Sequence, residues 1–301
     1  MTLRLSTFFC CASALLLGAL FLMPERTAGQ AKPAWTPART PDGQPDVQGY
    51  WVAKDYGMGC LTNPKGEVGC IDPPEGRVGG KRAQPAKAPS RIVDTPDGEV
   101  PYQPWARARQ QELLKNYFEP TSQAHLDPQQ LCLPLGAVRQ LTWHDVHILQ
   151  YDGYVVFVHE GGHSNRVIPL DGHPHVGENL KLWMGDSRGH WEGTTLVVDV
   201  TNNNSKGRLS RAGDFASDKV HIVERFEFLD ANNLKYGARF DDPSVYTRPW
   251  TFGFELKKDV FGSYGVDQLT YEHWEEACYE GMRDVDRSLR TQSTKQGSDK
   301  P

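Results

Sequence analysis

From about residue 137 onward, apolar side chains recur at every second position. VHILQ, YVVFV, TTLVVDV, KVHIVERFEF, NLKYGARF, WTFGFEL and DQLTYEHW are short runs rich in β-branched and aromatic residues. Asp-Gly, Asn-Asn and Asp-Asp-Pro punctuation separates them. A period of two puts alternate side chains on opposite faces of a strand, so each run predicts a strand with one apolar face. No helical pattern of useful length lies between the runs. The chain is therefore predicted to be mainly β, an antiparallel β-barrel or sandwich, with a lipocalin-like barrel as one form of it.

Upstream the period is lost. Residues 32–104 are rich in Pro, Gly and charge, and TPDG occurs at Thr40–Gly43 and again at Thr95–Gly98, each a type I turn sequence. PPEGRVGGKRAQPAKAPS reads as irregular surface chain. One helix is predicted over 104–118, PWARARQQELLKNYF. Pro104 suits its first turn, and Leu113, Leu114, Tyr117 and Phe118 make an apolar stripe. At the start, Arg4 precedes FFCCASALLLGALFLM and then AGQA. That order of charge, apolar run and small residues matches a secretory signal peptide with cleavage near Ala31. The run is shorter than the ~20 residues of a membrane span; an uncleaved anchor is the alternative. Cys10 and Cys11 lie in it without lipobox context. The organisation expected is a signal peptide over 1–31, an extended segment with the helix over 32–125, an antiparallel core over 126–283 and a polar, disordered tail over 284–301. The mature chain is thus expected to be exported, periplasmic or secreted, with no stable membrane span.

Composition narrows the partners. The 301 residues are 38% hydrophobic and 24% charged, with a net charge of −5 and no Lys/Arg block. Nucleic acid and anionic membrane are poor partners for such a surface. Cys60, Cys70, Cys132 and Cys278 remain after the leader. An even number in an exported protein suggests two bridges, for which three pairings exist. Cys60–Cys70, closing a short loop, and Cys132–Cys278, closing a long one, are favoured; the longer loop removes more entropy from the unfolded chain.

HEGGH at 159–163 fits the H-E-x-x-H string of zinc proteases. That chemistry needs a helix, so that both His and the intervening Glu share a face. The upstream YVVFV is strand, Gly161 and Gly162 each weaken a helix by ~1 kcal/mol relative to Ala, and Pro169 stops one. Arg166 and Pro169 also stand where the metzincin pattern wants Gly and His. A strand ending in a Gly-Gly bulge or turn is the prediction. HEGGHSNRVIPLDGHPH still gathers four His, and a polar surface hairpin is one reading of it. No G-x-S-x-G, Walker loop, G-x-G-x-x-G or C-x-x-C-H occurs, and Ser187 in GDSRGH lacks the second Gly of a nucleophile elbow.

Several strings together resemble one family. They are E-x-x-H-x-x-R (Glu160, His163, Arg166), DG-x-x-H (Asp171, Gly172, His175), MGDSRGHWEGTTLVVDV (184–200), HIVERF (221–226), DDPSVYTRPW (241–250) and the late Cys278. TPDGQPDVQGYW (40–51) and LCLPLG (131–136) are similar to its other conserved-looking stretches. It is a family of exported bacterial proteins of unassigned function, found in acidobacterial and proteobacterial genomes. The resemblance implies the architecture and marks positions; it implies no reaction. Members commonly differ at the position of His159, which weakens the protease reading further.

Periodicity ranks the acids. In KVHIVERFEF, Glu224 shares a face with Val220, Ile222, Phe226 and Phe228. A carboxylate in an apolar row must be paired, protonated or facing a cavity, because burying it alone costs several kcal/mol. Glu192 aligns with Leu196, Val198 and Val200 if Gly193 leaves the register unshifted, which makes it a second candidate for an inward acid. Arg166 and Arg225 are available counter-ions, and a structural Arg–Glu lattice is the alternative. A desolvated Glu beside His suits proton transfer. The expected enzyme uses Glu224 as buried acid, His163 or His175 as base and Arg166 as clamp on an oxygen, with Glu160 and Glu192 as further acids. Trp183, Trp191, Tyr246 and Trp250, with Trp143 and Trp274, are candidates to line a pocket for a flat ligand or to be core. The substrate expected is a small cyclic or aromatic molecule, and the reaction a lyase, isomerase or hydrolase step without an organic cofactor. The alternatives are a lipocalin-like binder without turnover and a divalent metal held by Glu160, His163 and His175.

Overall fold

The structure, a computed structural model, describes residues 35–54, 60–62, 90–142, 145–161 and 164–258, together with Val285 and Leu289, both helical. The chain divides into Met1–Trp35 and Thr36–Pro301, and the fold described is that of the second unit. The signal peptide, most of the tail, the run DQLTYEHW, His163, Trp143, Trp274, Cys70 and Cys278 lie outside the described residues.

Nine antiparallel strands form one sheet that curls into a nearly closed barrel. They are β1 (Gly49–Ala53), β2 (Val146–Tyr151), β3 (Tyr154–His159), β4 (Asn165–Pro169), β5 (Asp186–Glu192), β6 (Thr195–Thr201), β7 (His221–Asp230), β8 (Asn233–Asp241) and β9 (Trp250–Lys258). Their hydrogen-bonded order is β4-β3-β2-β1-β9-β8-β7-β6-β5. Six of the alternating runs become β2, β3, β6, β7, β8 and β9. Their apolar faces fill the interior with aromatic rings. Phe157 meets Phe226 edge-on with centroids 5.3 Å apart, Phe226 meets Tyr236 at 4.9 Å, and Phe240 stacks on Trp250 at 4.6 Å. Each such ring, fully buried, stabilises the fold by about 1.5–3 kcal/mol.

β1 comes from the segment whose sequence reads as irregular. Its five residues pair with β2 on one side (Trp51↔Val146) and with β9 on the other (Trp51↔Lys258). It is thereby the staple between β2–β4 and β5–β9. Trp51 is fully buried, and its indole Nε1 donates to Val47 O at 2.9 Å. The two outer strands of the order, β4 and β5, meet through side chains. At Gly189 in β5 a Cβ would stand 2.7 Å from Leu170 Cδ2 and 2.8 Å from Ile168 Cγ2. Only a residue without a side chain admits those two groups so close to the strand backbone.

The predicted helix forms as α1 (Pro104–Lys115), three residues shorter than read. Its buried face is Ala106, Gln110 and Leu113; of the expected stripe Leu113 is buried, while Leu114, Tyr117 and Phe118 are half-buried. It packs where Gly213, at φ +88°, lets the chain pass; a Cβ there would fall 2.6 Å from Leu113 Cβ. A second helix, α2 (Ala137–Gln140), precedes β2. Arg139 in α2 and Asp127 form a two-contact ion pair at 2.9 and 3.0 Å with both side chains fully buried. Cys60 and Cys132 are each disulfide-bonded; Cys70 and Cys278, the partners expected from sequence, lie outside the described residues.

Candidate functional site

Strand alternation delivers Glu224 to the barrel interior. On β7, Val220 precedes the inward row Ile222, Glu224 and Phe226, and Glu224 stands opposite Val198 on β6 and Ala238 on β8, all fully buried. A lone carboxylate there would be prohibitive, and the fold supplies its partners. Arg166, inward on β4 and 2% exposed, donates through Nη2 to Glu224 Oε2. Tyr236, inward on β8, donates its hydroxyl to Glu224 Oε1 at 2.7 Å. Arg166 Nε donates across the β4–β5 seam to Ser187 Oγ at 2.8 Å. The Phe157 ring lies 6.0 Å from the guanidinium carbon. Burial, and then the adjacent Glu224 carboxylate, push the Tyr236 phenol well above its ordinary range, so it remains a donor.

Breaking such a pair from one side leaves an uncompensated interior charge, at about 3–5 kcal/mol. Pairing does not satisfy every donor. Arg166 Nη1 is buried and has no hydrogen-bond partner among the described residues. An interior guanidinium N–H without an acceptor is costly.

The other predicted residues divide among several places. Glu192 is a correction. The hairpin from β5 to β6 has two loop residues, Gly193 and Thr194, so Glu192 pairs with Thr195 and Trp191 with Leu196. Crossing that turn exchanges odd for even positions, and Glu192 points outward, exposed, 2.9 Å from Arg225 Nη2. That ion pair and His190 hold its carboxyl below the usual range. Trp191 is the inward residue, half-buried against the core.

His175 is also apart from the interior cluster. Its Nδ1 lies 2.7 Å from Asp186 Oδ2, and its Nε2 lies 2.8 Å from Asp199 Oδ1, whose other oxygen meets His221 Nε2 at 2.6 Å. Asp199 is half-buried and His221 exposed, so this network faces outward. Both ring nitrogens of His175 are engaged by carboxylates, which does not suit a base serving Glu224 or a metal ligand. Glu160 is buried at the end of β3, where Oε2 accepts from the backbone N of Asp145 at 3.2 Å. His159 ends a strand, so HEGGH does not open on a helix. Among the described residues no three His, Cys, Asp or Glu side chains are grouped to hold a metal ion.

Two of the aromatic candidates are core. Trp250 is fully buried, and Tyr246 packs edge-on to it with centroids 5.4 Å apart while donating to Phe215 O at 2.7 Å. Trp183 is half-buried, with Lys206 Nζ 5.9 Å from its ring centre. Sequence reading missed Tyr236 and gave Ser187 no role in the cluster. Tyr236 was findable: it alternates with Leu234, Ala238 and Phe240 on the strand that follows β7. Ser187 was hidden by the same turn that misplaced Glu192.

No family model, curated protein or solved structure matches this chain.

Proposed function

We propose that the chain is an exported enzyme that carries out acid–base chemistry, of lyase, isomerase or hydrolase type, on a small cyclic or aromatic molecule held at the interior cluster. The observation that supports this reading is the partnerless Arg166 Nη1 beside a fully buried carboxylate. A carbonyl oxygen accepting from Nη1 would be polarised, and a carbon acid attached to it would lie within reach of Glu224. Glu224 takes and returns the proton. Tyr236 and Arg166 fix its carboxylate in one orientation, which removes the reorganisation that a free side chain would need. Ser187 holds the guanidinium from the other side of the seam. Export rests on the charge, apolar and small-residue order of residues 1–31.

A second reading, binding without turnover, is favoured by one observation: both Glu224 oxygens already accept hydrogen bonds, from Arg166 and Tyr236, which occupy the positions from which a proton would be taken. Proton exchange separates the two. Small cyclic ketones are incubated with the protein in D2O, and loss of the α-C–H signal is followed by NMR. Wild type is expected to exchange faster than buffer, and Glu224→Gln to fall at least about 100-fold, toward the buffer rate. Exchange that survives Glu224→Gln undiminished removes Glu224 from the chemistry. Arg166-dependent binding without any exchange leaves the binding reading.

A further inference from the structure

The interior cluster carries a charge balance that defines what it accepts, an inference that rests on the reading of Arg166 as a ligand-binding group. The guanidinium of Arg166 and the carboxylate of Glu224 are in contact and 2% and 0% exposed. Their charges cancel. Tyr236 adds a neutral phenol whose hydroxyl is spent on Glu224, and Ser187 adds a neutral hydroxyl that accepts from Arg166 Nε. The Phe157 ring lies beside the guanidinium, and Phe226 and Phe254 pack on the Tyr236 ring. Arg166 Nη1 has no acceptor among the described residues.

We propose that Glu224 is the specificity-determining residue of this site, which takes a neutral carbonyl compound such as a cyclic or aryl ketone, lactone or ester and rejects the corresponding carboxylate. A carboxylate on Nη1 would leave the interior with one positive and two negative groups. The second anion would be stripped of water and placed within a few ångströms of the first, where like charges in a medium of low permittivity repel strongly. A carbonyl oxygen satisfies the same N–H and leaves the sum at zero. A barrel that bound anions through its arginine would be expected to leave that arginine uncompensated, and here it is compensated in advance.

The test uses a matched pair of probes on the full-length protein. Acetophenone and benzoate share a ring and differ in the group offered to Arg166. Their affinities are measured by calorimetry or saturation-transfer NMR. Wild type is expected to bind acetophenone about tenfold more tightly than benzoate, Arg166→Met to lose that affinity, and Glu224→Gln to reverse the order of preference, because the guanidinium is then unmatched. If wild type prefers benzoate and Arg166→Met abolishes binding, the charge inference is overturned while the reading of the site stands. If wild type prefers acetophenone but Glu224→Gln preserves the order, Glu224 is not the selector. If neither probe binds, or Arg166→Met changes nothing, the reading of the site fails and the inference with it. Should Glu224→Gln not yield folded protein, the double variant R166M/E224L removes both charges together, which cores tolerate better than half a pair. Because Nη1 is gone it is expected to bind neither probe, and acetophenone affinity that survives in it would overturn the proposal.

Discussion

Single residues in this protein are placed by parity. Glu224 was legible because its strand is unbroken and its neighbours two positions away are apolar, so alternation alone sends it inward. Glu192 was not, because a two-residue turn stands between it and the residues used to orient it, and a turn of even length reverses the alignment assumed. Asp214 escaped notice altogether: it lies in no strand, and nothing periodic surrounds it. It is buried, accepting from Tyr102 at 2.9 Å and from Ser210. Burial raises its carboxyl above the ordinary range, against those two hydrogen bonds that lower it. A carboxyl whose folded value is raised binds more protons native than unfolded, so folding loses stability as pH rises from the unfolded value through the folded one. Asp214→Asn keeps an acceptor for Tyr102 and removes the titration. Relative to wild type, its melting temperature is expected to rise as pH increases above about 4, the unfolded value, as followed by calorimetry at fixed ionic strength. A constant difference across that range would contradict the assignment.

At the scale of elements, the long hydrophobic strands announced themselves, and the short ones did not. β2, β3 and β6 to β9 carry five or more residues of clear alternation. β4 reads as part of a His-rich loop, and β5 is split between polar residues and the turn. β1 has a five-residue run bounded by Gly and charge, too little to stand out from irregular chain. Yet the outer strands β4 and β5 hold the seam, and the seam holds Arg166 in place. Gly189→Val tests that dependence. The added side chain would meet Ile168 and Leu170, which must shift. Overpacking of this kind costs about 1–3 kcal/mol. Because Ile168 lies two residues from Arg166 on the same face, the shift should also disturb Arg166, and a smaller response of the variant to ketone probes is expected alongside lower denaturant resistance. Loss of stability with unchanged probe affinity would show that seam and cluster are independent.

For the whole molecule, the strand patterns led to a barrel or a sandwich and left the choice between them open, since closure depends on which strands are neighbours and not on how each is patterned. The staple strand decides it. Val52→Pro takes an N–H from β1, which has neighbours on both sides, and a carbonyl left unpaired in such a strand is expected to cost about 1–3 kcal/mol. Open edges on β2 and β9 are then available to other chains, and light scattering on dilution from urea should show association that wild type lacks. Monomeric refolding of the variant at wild-type rates would mean the halves close without β1. The pairing of residue 51 with residue 258 also sets a timetable. While the chain is being made, its first strand can meet one neighbour once residue 146 exists, but the other only when residue 258 does, so the closed barrel is unavailable to any nascent fragment. Such distant pairing makes for slow acquisition of the native state. Until then the polypeptide stays open along the side that its last strand will cover.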